Sequence, residues 1–256
     1  MNSSIVRYIL GHVLKIEAAL MVIPVIVGII YREQATSAFL ITIALCAVCG
    51  ILMTIRKPAN TVFYLKEGCV TTALSWILMS IFGCLPFFIS REIPSFTDAL
   101  FETISGFTTT GASILSEVEG LSQSIMFWRC FTHWIGGMGI VFFTIAILPN
   151  MGGGGIKLFS AEATGLKIGK LHPRISTTAR WMWSIYLLLT ISCSVAYFFG
   201  GMNWFDAVCH GLATIGTGGF STHTDGIAWF HSNQLQWIST LFMFLASINC
   251  TLLYLF

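Results

Sequence analysis

The sequence predicts an all-α protein that crosses a membrane several times. Three observations support this fold class: the composition, six apolar stretches of about 20 residues, and two shorter apolar stretches that repeat. Hydrophobic residues make up 55% of the 256 residues and charged residues only 9%, and the mean hydropathy is +0.82. Soluble domains usually carry about 25% charged residues. The composition therefore excludes a soluble enzyme, a disordered chain and a nucleic-acid-binding protein.

Six apolar stretches are long enough to cross a bilayer as helices. A helix rises 1.5 Å per residue, so about 20 residues cover about 30 Å of hydrocarbon. Lys15 and Glu17 lie near the start of the first stretch, where a lysine side chain can extend to the interface. Pro24 lies within it, as a kink that membrane helices tolerate. The predicted spans are 13–31, 37–55, 69–90, 124–148, 181–200 and 234–256.

Basic residues are distributed unevenly between the loops that these spans create. Cytoplasmic loops of membrane proteins carry an excess of lysine and arginine. We therefore expect the N-terminus and the loop 149–180 to be cytoplasmic. The basic residues on this side are Arg7, Lys15, Arg56, Lys57, Lys66, Lys157, Lys167, Lys170, Arg174 and Arg180, and those on the other side are Arg32, Arg91 and Arg129.

Two shorter apolar stretches, 96–107 and 204–214, lie between spans three and four and between spans five and six. About ten residues of helix rise only about 15 Å, so each stretch is predicted to enter from outside, stop midway and return as extended chain. Asp98 and Asp206 precede the apolar runs, as helix N-caps do. This order repeats at a spacing near 107 residues. The alternative is a pair of ordinary extracellular loops.

Each half-helix is followed by a loop rich in threonine and glycine. Backbone that is not helical is tolerated at membrane depth only where protein or water satisfies it. Rings of carbonyl oxygens can replace the hydration shell of a monovalent cation, and glycine permits the backbone angles that keep successive carbonyls directed inward. The negative end of each half-helix dipole also favours a cation. The pattern predicts a cation pathway lined by backbone carbonyls.

Five segments resemble the Trk/Ktr/HKT potassium transporter superfamily, and most closely its bacterial Trk membrane subunits. The segments 106–113 and 213–222 look like the first two filter loops of that family. The segments 134–140, 148–156 and 173–180 are similar to family motifs as well. The similarity runs over essentially the whole chain.

The resemblance implies an architecture of a leading two-helix hairpin (1–68), a first pore repeat (69–148), a cytoplasmic linker (149–180) and a second pore repeat (181–256). Each repeat would consist of a span (M1), a pore helix, a filter loop and a second span (M2). Family members have four such repeats around a pore with pseudo-fourfold symmetry. We therefore expect half of such a pore: a fragment, a truncated gene product or one piece of a split protein, with the second repeat truncated at its end.

The resemblance also implies the ion-binding residues. With the Thr-Gly pairs aligned, the carbonyls of Thr109, Thr110, Gly111 and Ala112 would meet those of Gly216, Thr217, Gly218 and Gly219, flanked by Thr108 and Ile215. A glycine in the filter is typical of members that prefer potassium. The expected ligand is K⁺ at these residues only, without a cofactor and without enzymatic activity.

The same resemblance implies partners and a location. Family members form homodimers, and their cytoplasmic face binds a TrkA-type regulatory ring, a cytosolic protein that binds nucleotides. The basic loop 157–180 is the candidate face, and ordinary positive-inside bias, or binding of anionic lipid, explains its charge equally well. We expect a multi-pass protein of a bacterial cytoplasmic (inner) membrane, in contact with lipid.

Several acidic residues fall near the predicted outer mouth: Glu102, Glu117, Glu119, Asp206 and Asp225. An acidic vestibule concentrates cations there; the alternative is a solvated outer surface with Asp206 as a helix cap. Glu102 lies inside the first half-helix, and a carboxylate within a membrane is by default a functional candidate. Arg129 is either its counter-charge or an interfacial anchor.

Two other functions are compatible with parts of the sequence. His133 and His210 both lie near the outer side, which suggests a membrane redox protein with bis-histidine haem. A fragment that inserts but does not conduct is the other alternative.

Span four contains three closely spaced glycines, Gly136, Gly137 and Gly139. They predict that another helix approaches closely there, and the alternative is a hinge for gating.

Overall fold

The computed structural model describes residues 2–58, 65–139 and 175–248. Its elements there are ten α-helices and one 3₁₀ helix. The helices are α1 (Ser3–Leu20), α2 (Val22–Tyr31), α3 (Thr36–Thr54), α4 (Leu65–Gly83), α5 (Leu85–Ile89), α6 (Phe96–Phe107), α7 (Gln123–Met138), α8 (Ile175–Phe199), α9 (Trp204–Ile215) and α10 (Asn233–Ser247), with the 3₁₀ helix at Gly226–Phe230. The all-helical fold class predicted from the sequence is confirmed for these residues.

Four stretches of the described chain are long and apolar enough to cross a membrane: Ser3–Tyr31, Thr36–Thr54, Lys66–Ile89 and Trp181–Phe199. They correspond to predicted spans one, two, three and five. α7 and α10 form the first parts of predicted spans four and six, and the remaining parts, 140–148 and 249–256, lie outside the described residues. So does the linker up to residue 174.

The predicted start of the first span was wrong, since α1 begins at Ser3 rather than at residue 13. The buried residues of its first turns recur with helical periodicity, as Ile5, Val6, Ile9 and Leu10, and α1 packs along α3. These turns are amphipathic and therefore escape a search for uniformly apolar stretches. In the same way α8 begins at Ile175, so the predicted linker boundary at residue 180 lies inside a helix.

Polar contacts place the loops at two opposite ends of the helices. Glu33, in the turn after α2, accepts hydrogen bonds from the start of α7. Glu92, after α5, accepts from the Ser122 amide. At the other end, Arg7 donates to the Arg56 carbonyl over 3.4 Å. Among the described residues, the turns after α2 and α5 therefore lie at one end of the helices and the turn after α3 lies at the other, as predicted spans one to four require.

The helix α7 is the centre of the described structure. It packs against α2, α6 and α9, and every residue from Ser124 to Ile135 is buried. Helix α3, by contrast, exposes a stripe of large apolar side chains: Leu40, Ile41, Leu45, Val48, Ile51 and Leu52. An apolar surface of this extent is typical of a face that contacts lipid.

Candidate functional site

The two half-helices are present, and they are equal in length. α6 and α9 each contain 12 residues, and both their first and their last residues are 108 positions apart. The predicted N-caps were wrong. Ser95 and Asn203 are the capping residues, and their side-chain oxygens accept from the amides of Asp98 and Asp206 over 3.4 and 2.8 Å. Both aspartates lie in the first turn, where a carboxylate is stabilised by the helix dipole.

The two loops that follow these helices have matching backbones. We call residues 108–113 the first Thr/Gly loop and residues 216–221 the second. Thr109 and Thr217 both have φ 53°, and Gly111 and Gly219 have φ 76° and 89°. A threonine with positive φ is strained, so the same strain at corresponding positions identifies a conformation that the loops share.

The repeat spacing is therefore 108 residues rather than 107. The Thr110 amide donates to the Ser105 carbonyl over 2.9 Å, and the Gly218 amide donates to the Ala213 carbonyl over 3.0 Å. Thr110 thus corresponds to Gly218, and Gly111 corresponds to Gly219. The alignment on Thr-Gly pairs was wrong by one residue. The correspondence between the two loops is set by the ends of the preceding helices, which are 108 residues apart. The predicted flanking residue Ile215 is consequently the last residue of α9.

The two Thr/Gly loops meet at their glycines. A Cβ atom at Gly111 would collide with the Gly218 carbonyl oxygen. The two loops are therefore adjacent at this point. In the second loop, Thr217 and Gly219 are exposed, whereas Gly216 and Gly218 are buried. In the first loop, Thr108, Thr110 and Ala112 are exposed.

Two glycines of α7 admit the ends of both half-helices. A Cβ at Gly136 would collide with the Phe107 carbonyl oxygen, and a Cβ at Gly137 would come within 2.8 Å of the Gly216 Cα. These contacts agree with the predicted close helix approach. They place α7 between the ends of α6 and α9.

Glu102 does not contribute to an outer vestibule. Its side chain is completely buried, and its Oε1 forms an ion pair with Nε of Arg129 over 2.6 Å. It also accepts from the Ser113 hydroxyl over 2.9 Å and from the Ile114 amide over 3.1 Å. Two opposite charges buried together compensate each other inside a membrane. Arg129 is therefore the counter-charge of Glu102 rather than an interfacial anchor.

A second carboxylate, Asp206, connects to the segment after the second Thr/Gly loop. Its Oδ1 accepts from the Thr222 hydroxyl over 2.6 Å, and its Oδ2 lies 3.3 Å from Nε2 of His223. The residue is 4% exposed. Asp206 is thus a buried residue that holds this segment in place.

Glu119 is exposed and links the two repeats outside the membrane-spanning segments. It accepts hydrogen bonds from the hydroxyl and the amide of Thr224 over 2.5 and 2.8 Å. These bonds stabilise the carboxylate and lower the pKa of Glu119 to about 2. Glu117 and Asp225 are exposed as well, so Glu117, Glu119 and Asp225 stay candidates for an acidic vestibule.

The two histidines considered for haem make other contacts. Nδ1 of His133 accepts from the Phe220 amide over 3.3 Å. Nε2 of His210 lies 3.3 Å from the Ser221 hydroxyl. Among the described residues no group of three or more His, Cys, Asp or Glu side chains could hold a metal ion. Both histidines support the second Thr/Gly loop in this arrangement.

Comparison with known proteins gives one consistent result. The family model described as "TrkH: Cation transport protein" matches residues 32–256. The chain belongs to the TrkH family. It is 39% identical over 253 residues to the Trk system potassium uptake protein TrkH of Escherichia coli K12, covering 97% of this chain and 52% of that protein. It is 36% identical over 255 residues to TrkH of Halomonas elongata, covering 98% and 53%.

A solved structure supports the same family. The crystal structure of the potassium transporter TrkH from Vibrio parahaemolyticus is similar with a TM-score of 0.84 at 35% identity, covering 99% of this chain and 52% of that chain. This member of the TrkH family therefore spans about half the length of the relatives that it matches. The identity over nearly the whole chain confirms the resemblance found in the sequence.

Some structural residues of this TrkH family member were missed by sequence reasoning. The contact of Arg129 with the Ser221 carbonyl, over 3.0 Å, joins residues 92 positions apart. Phe220 was not singled out, although its ring contacts both Arg129 and His133. The sequence contained one indication of this shared contact. Arg129 and His133 are four residues apart, so their side chains lie on the same face of a helix.

Proposed function

We propose that this protein conducts potassium ions across the bacterial cytoplasmic membrane, as the membrane subunit of a Trk-type system or as part of one. The observation that carries the proposal is the pair of half-helices that end in Thr/Gly loops with the same backbone conformation. Carbonyl oxygens of such loops replace the hydration shell of the ion, and no chemical step on the ion is needed.

Further support comes from the names of the relatives and from the local electrostatics. The relatives from Escherichia coli and Halomonas elongata are named potassium uptake proteins. Both half-helices direct their C-terminal ends at the loops, where the negative end of the helix dipole stabilises a cation. The Glu102 charge is neutralised by Arg129, so this carboxylate is not available as an ion ligand.

The proposal includes the location and partners of the protein. Its N-terminus is cytoplasmic, and its basic cytoplasmic face binds a TrkA-type nucleotide-binding ring. A homodimer is the proposed assembly. Co-purification with a TrkA-type subunit in detergent, compared with a variant in which Lys157, Lys167 and Lys170 are changed to glutamine, tests the docking face.

Flux of ⁸⁶Rb⁺ into liposomes tests conduction, because rubidium replaces potassium in carbonyl filters. The purified full chain is expected to raise the rate above that of protein-free liposomes, and Gly111→Asp or Gly219→Asp is expected to abolish the increase. Both glycines have positive φ, so a side chain there strains the loop and adds a charge beside the ion path.

The control is Gly120→Asp, since a Cβ at this glycine meets nothing within 4 Å. It should leave the flux unchanged. Flux that does not exceed that of protein-free liposomes would overturn the proposal and favour a fragment that does not conduct. Flux that survives both loop substitutions would overturn the assignment of the Thr/Gly loops as the ion path.

A further inference from the structure

The ring of His133 lies directly against the second Thr/Gly loop. Its imidazole stacks on the Phe220 ring, with 3.9 Å between the ring centroids and 18° between the ring planes. The Phe220 amide donates to Nδ1 of His133 over 3.3 Å. A Cβ at Gly218 would collide with the same imidazole. His133 is fully buried, so bulk water does not compete for these contacts.

Arg129 contacts the same loop from one helical turn earlier on α7. Its guanidinium carbon is 3.7 Å from the centroid of the Phe220 ring, and its Nη1 donates to the Ser221 carbonyl over 3.0 Å. The ion pair with Glu102 holds the guanidinium in place. Two side chains from the first repeat thus hold a loop that belongs to the second repeat.

These contacts determine the direction of one particular carbonyl. The Phe220 amide N–H and the Gly219 carbonyl belong to the same peptide unit, and no cis peptide bond occurs in the described residues. In a trans peptide the N–H and C=O groups point in opposite directions. Because the N–H points at His133, the Gly219 carbonyl points away from α7.

The Ser221 carbonyl has the opposite orientation, since it points at Arg129. The carbonyls of Gly219 and Ser221 therefore point in opposite directions relative to α7. Gly219 is also the position of positive φ that corresponds to Gly111 in the first loop. Gly219 is the last of the four residues of the second loop that are predicted to present carbonyls to the ion.

The hydrogen bond from the Phe220 amide also determines the tautomer of the His133 imidazole. A ring nitrogen accepts a hydrogen bond only through a lone pair, so Nδ1 carries no proton. The single proton of the neutral ring is then on Nε2. A proton on Nδ1 would face the Phe220 N–H and would break the contact.

We propose that His133 is a positioning residue that sets ion selectivity by fixing the Gly219 carbonyl through the Phe220 amide. The proposal rests on the proposed function, because it specifies how the second Thr/Gly loop discriminates between potassium and sodium. His133 does not touch the ion itself. Its effect depends on one hydrogen-bond acceptor at the position of Nδ1.

Two substitutions of similar shape separate that acceptor from packing. Asn places Oδ1 where His carries Nδ1, and Leu places a methyl group there. We expect His133→Leu to lower the ratio of ⁸⁶Rb⁺ to ²²Na⁺ flux about threefold to tenfold, as for the loss of one hydrogen bond. His133→Asn should keep a ratio close to that of the unaltered protein. Equal ratios in the two variants would overturn the proposal.

A second measurement does not depend on conduction. Hydrogen exchange at the Phe220 amide, followed by NMR in nanodiscs, should be faster in His133→Leu than in His133→Asn. In the unaltered protein, the ¹⁵N chemical shifts of the His133 ring should show an unprotonated Nδ1 and a protonated Nε2. A protonated Nδ1 would overturn the proposal even if neither variant folds.

Different results would overturn the proposed function and the proposed role of His133. If the unaltered chain shows no rubidium flux, the proposed function is wrong, and the exchange rates and ¹⁵N shifts alone decide whether His133 positions the loop. If rubidium flux is present but both variants exchange and select alike, conduction stands and the role of His133 is wrong.

Discussion

Glu102 and Arg129 show how a charge inside the membrane can serve structure. The carboxylate accepts from a guanidinium, a hydroxyl and a backbone amide, and the guanidinium also donates to a carbonyl of the other repeat. Removing one partner of a buried ion pair leaves the other charge uncompensated. These side chains therefore hold the two Thr/Gly loops, and neither carboxylate nor guanidinium is free at the surface.

At the same scale, Glu119 makes the stability of the protein depend on pH. Its pKa is lowered from 4.5 to about 2 because Thr224 donates two hydrogen bonds to the carboxylate. A lowered pKa means that the folded state favours the ionised form, so the contribution is fully present above about pH 4.5 and is lost as the pH falls toward 2. Glu119→Gln lacks this contribution.

We therefore expect the thermal midpoint of unfolding, followed by tryptophan fluorescence in detergent, to be lower in Glu119→Gln than in the unaltered protein at pH 7. The difference should shrink below pH 4.5 and disappear near pH 2. Glu117→Gln, at an exposed residue two positions earlier, is the control and should follow the unaltered protein. A difference that is independent of pH would contradict this account.

At the scale of the element, α7 is capped by carboxylates from other parts of the chain. Ser122 is its N-cap residue, but the side chain makes no capping bond and donates to Glu92 instead. Glu33 accepts from the amides of Gln123 and Ser124 over 2.6 and 2.9 Å and from the Ser124 hydroxyl over 2.6 Å. A carboxylate at this end is also favoured by the helix dipole.

We expect Glu33→Gln to lower the free energy of unfolding by about 1–2 kcal/mol, since it removes a charged acceptor from a helix N-terminus. Unfolding in denaturant with a fixed detergent concentration measures the change. The exposed neighbour Gln34 provides the matched control, because Gln34→Ala should have no effect. If Glu33→Gln lowered the free energy of unfolding no more than Gln34→Ala does, Glu33 would not cap α7.

At the scale of the whole molecule, α7 joins the two repeats, and the loops fall at two ends. Contacts of Glu33 and Glu92 with the start of α7 define one end, and the contact of Arg7 with Arg56 defines the other. The second end carries most of the basic residues described, so from the positive-inside bias we expect it to be cytoplasmic.

Reporter fusions test this orientation. Alkaline phosphatase, which is active only outside the cytoplasm, should be active when fused after Gln34 or Pro94 and inactive when fused after Lys57. Green fluorescent protein at the same positions should give the reverse pattern, because it fluoresces in the cytoplasm. Active phosphatase at Lys57 would reverse the orientation and move the Thr/Gly loops to the cytoplasmic side.

Much of the fold was predictable because its signals are local. The half-helix at 96–107 was predicted with the bounds that the structure shows, and the second half-helix differs by one residue at its end. Apolar length identifies a membrane helix without knowledge of its neighbours. The first turns of α1 were missed, since their apolar face is defined by packing on α3.

The membrane class, the two half-helices and the Thr/Gly loops were predictable from local patterns, because hydrophobic length and glycine placement act over a few residues. The repeat register of 108, the pairing of Glu102 with Arg129 and the contact of His133 with Phe220 became evident from helix packing. Those contacts join residues that are distant in the chain, and their geometry follows from how α6, α7 and α9 pack. The burial of a charge depends on its partner, and the partner becomes known only when the helices are assembled.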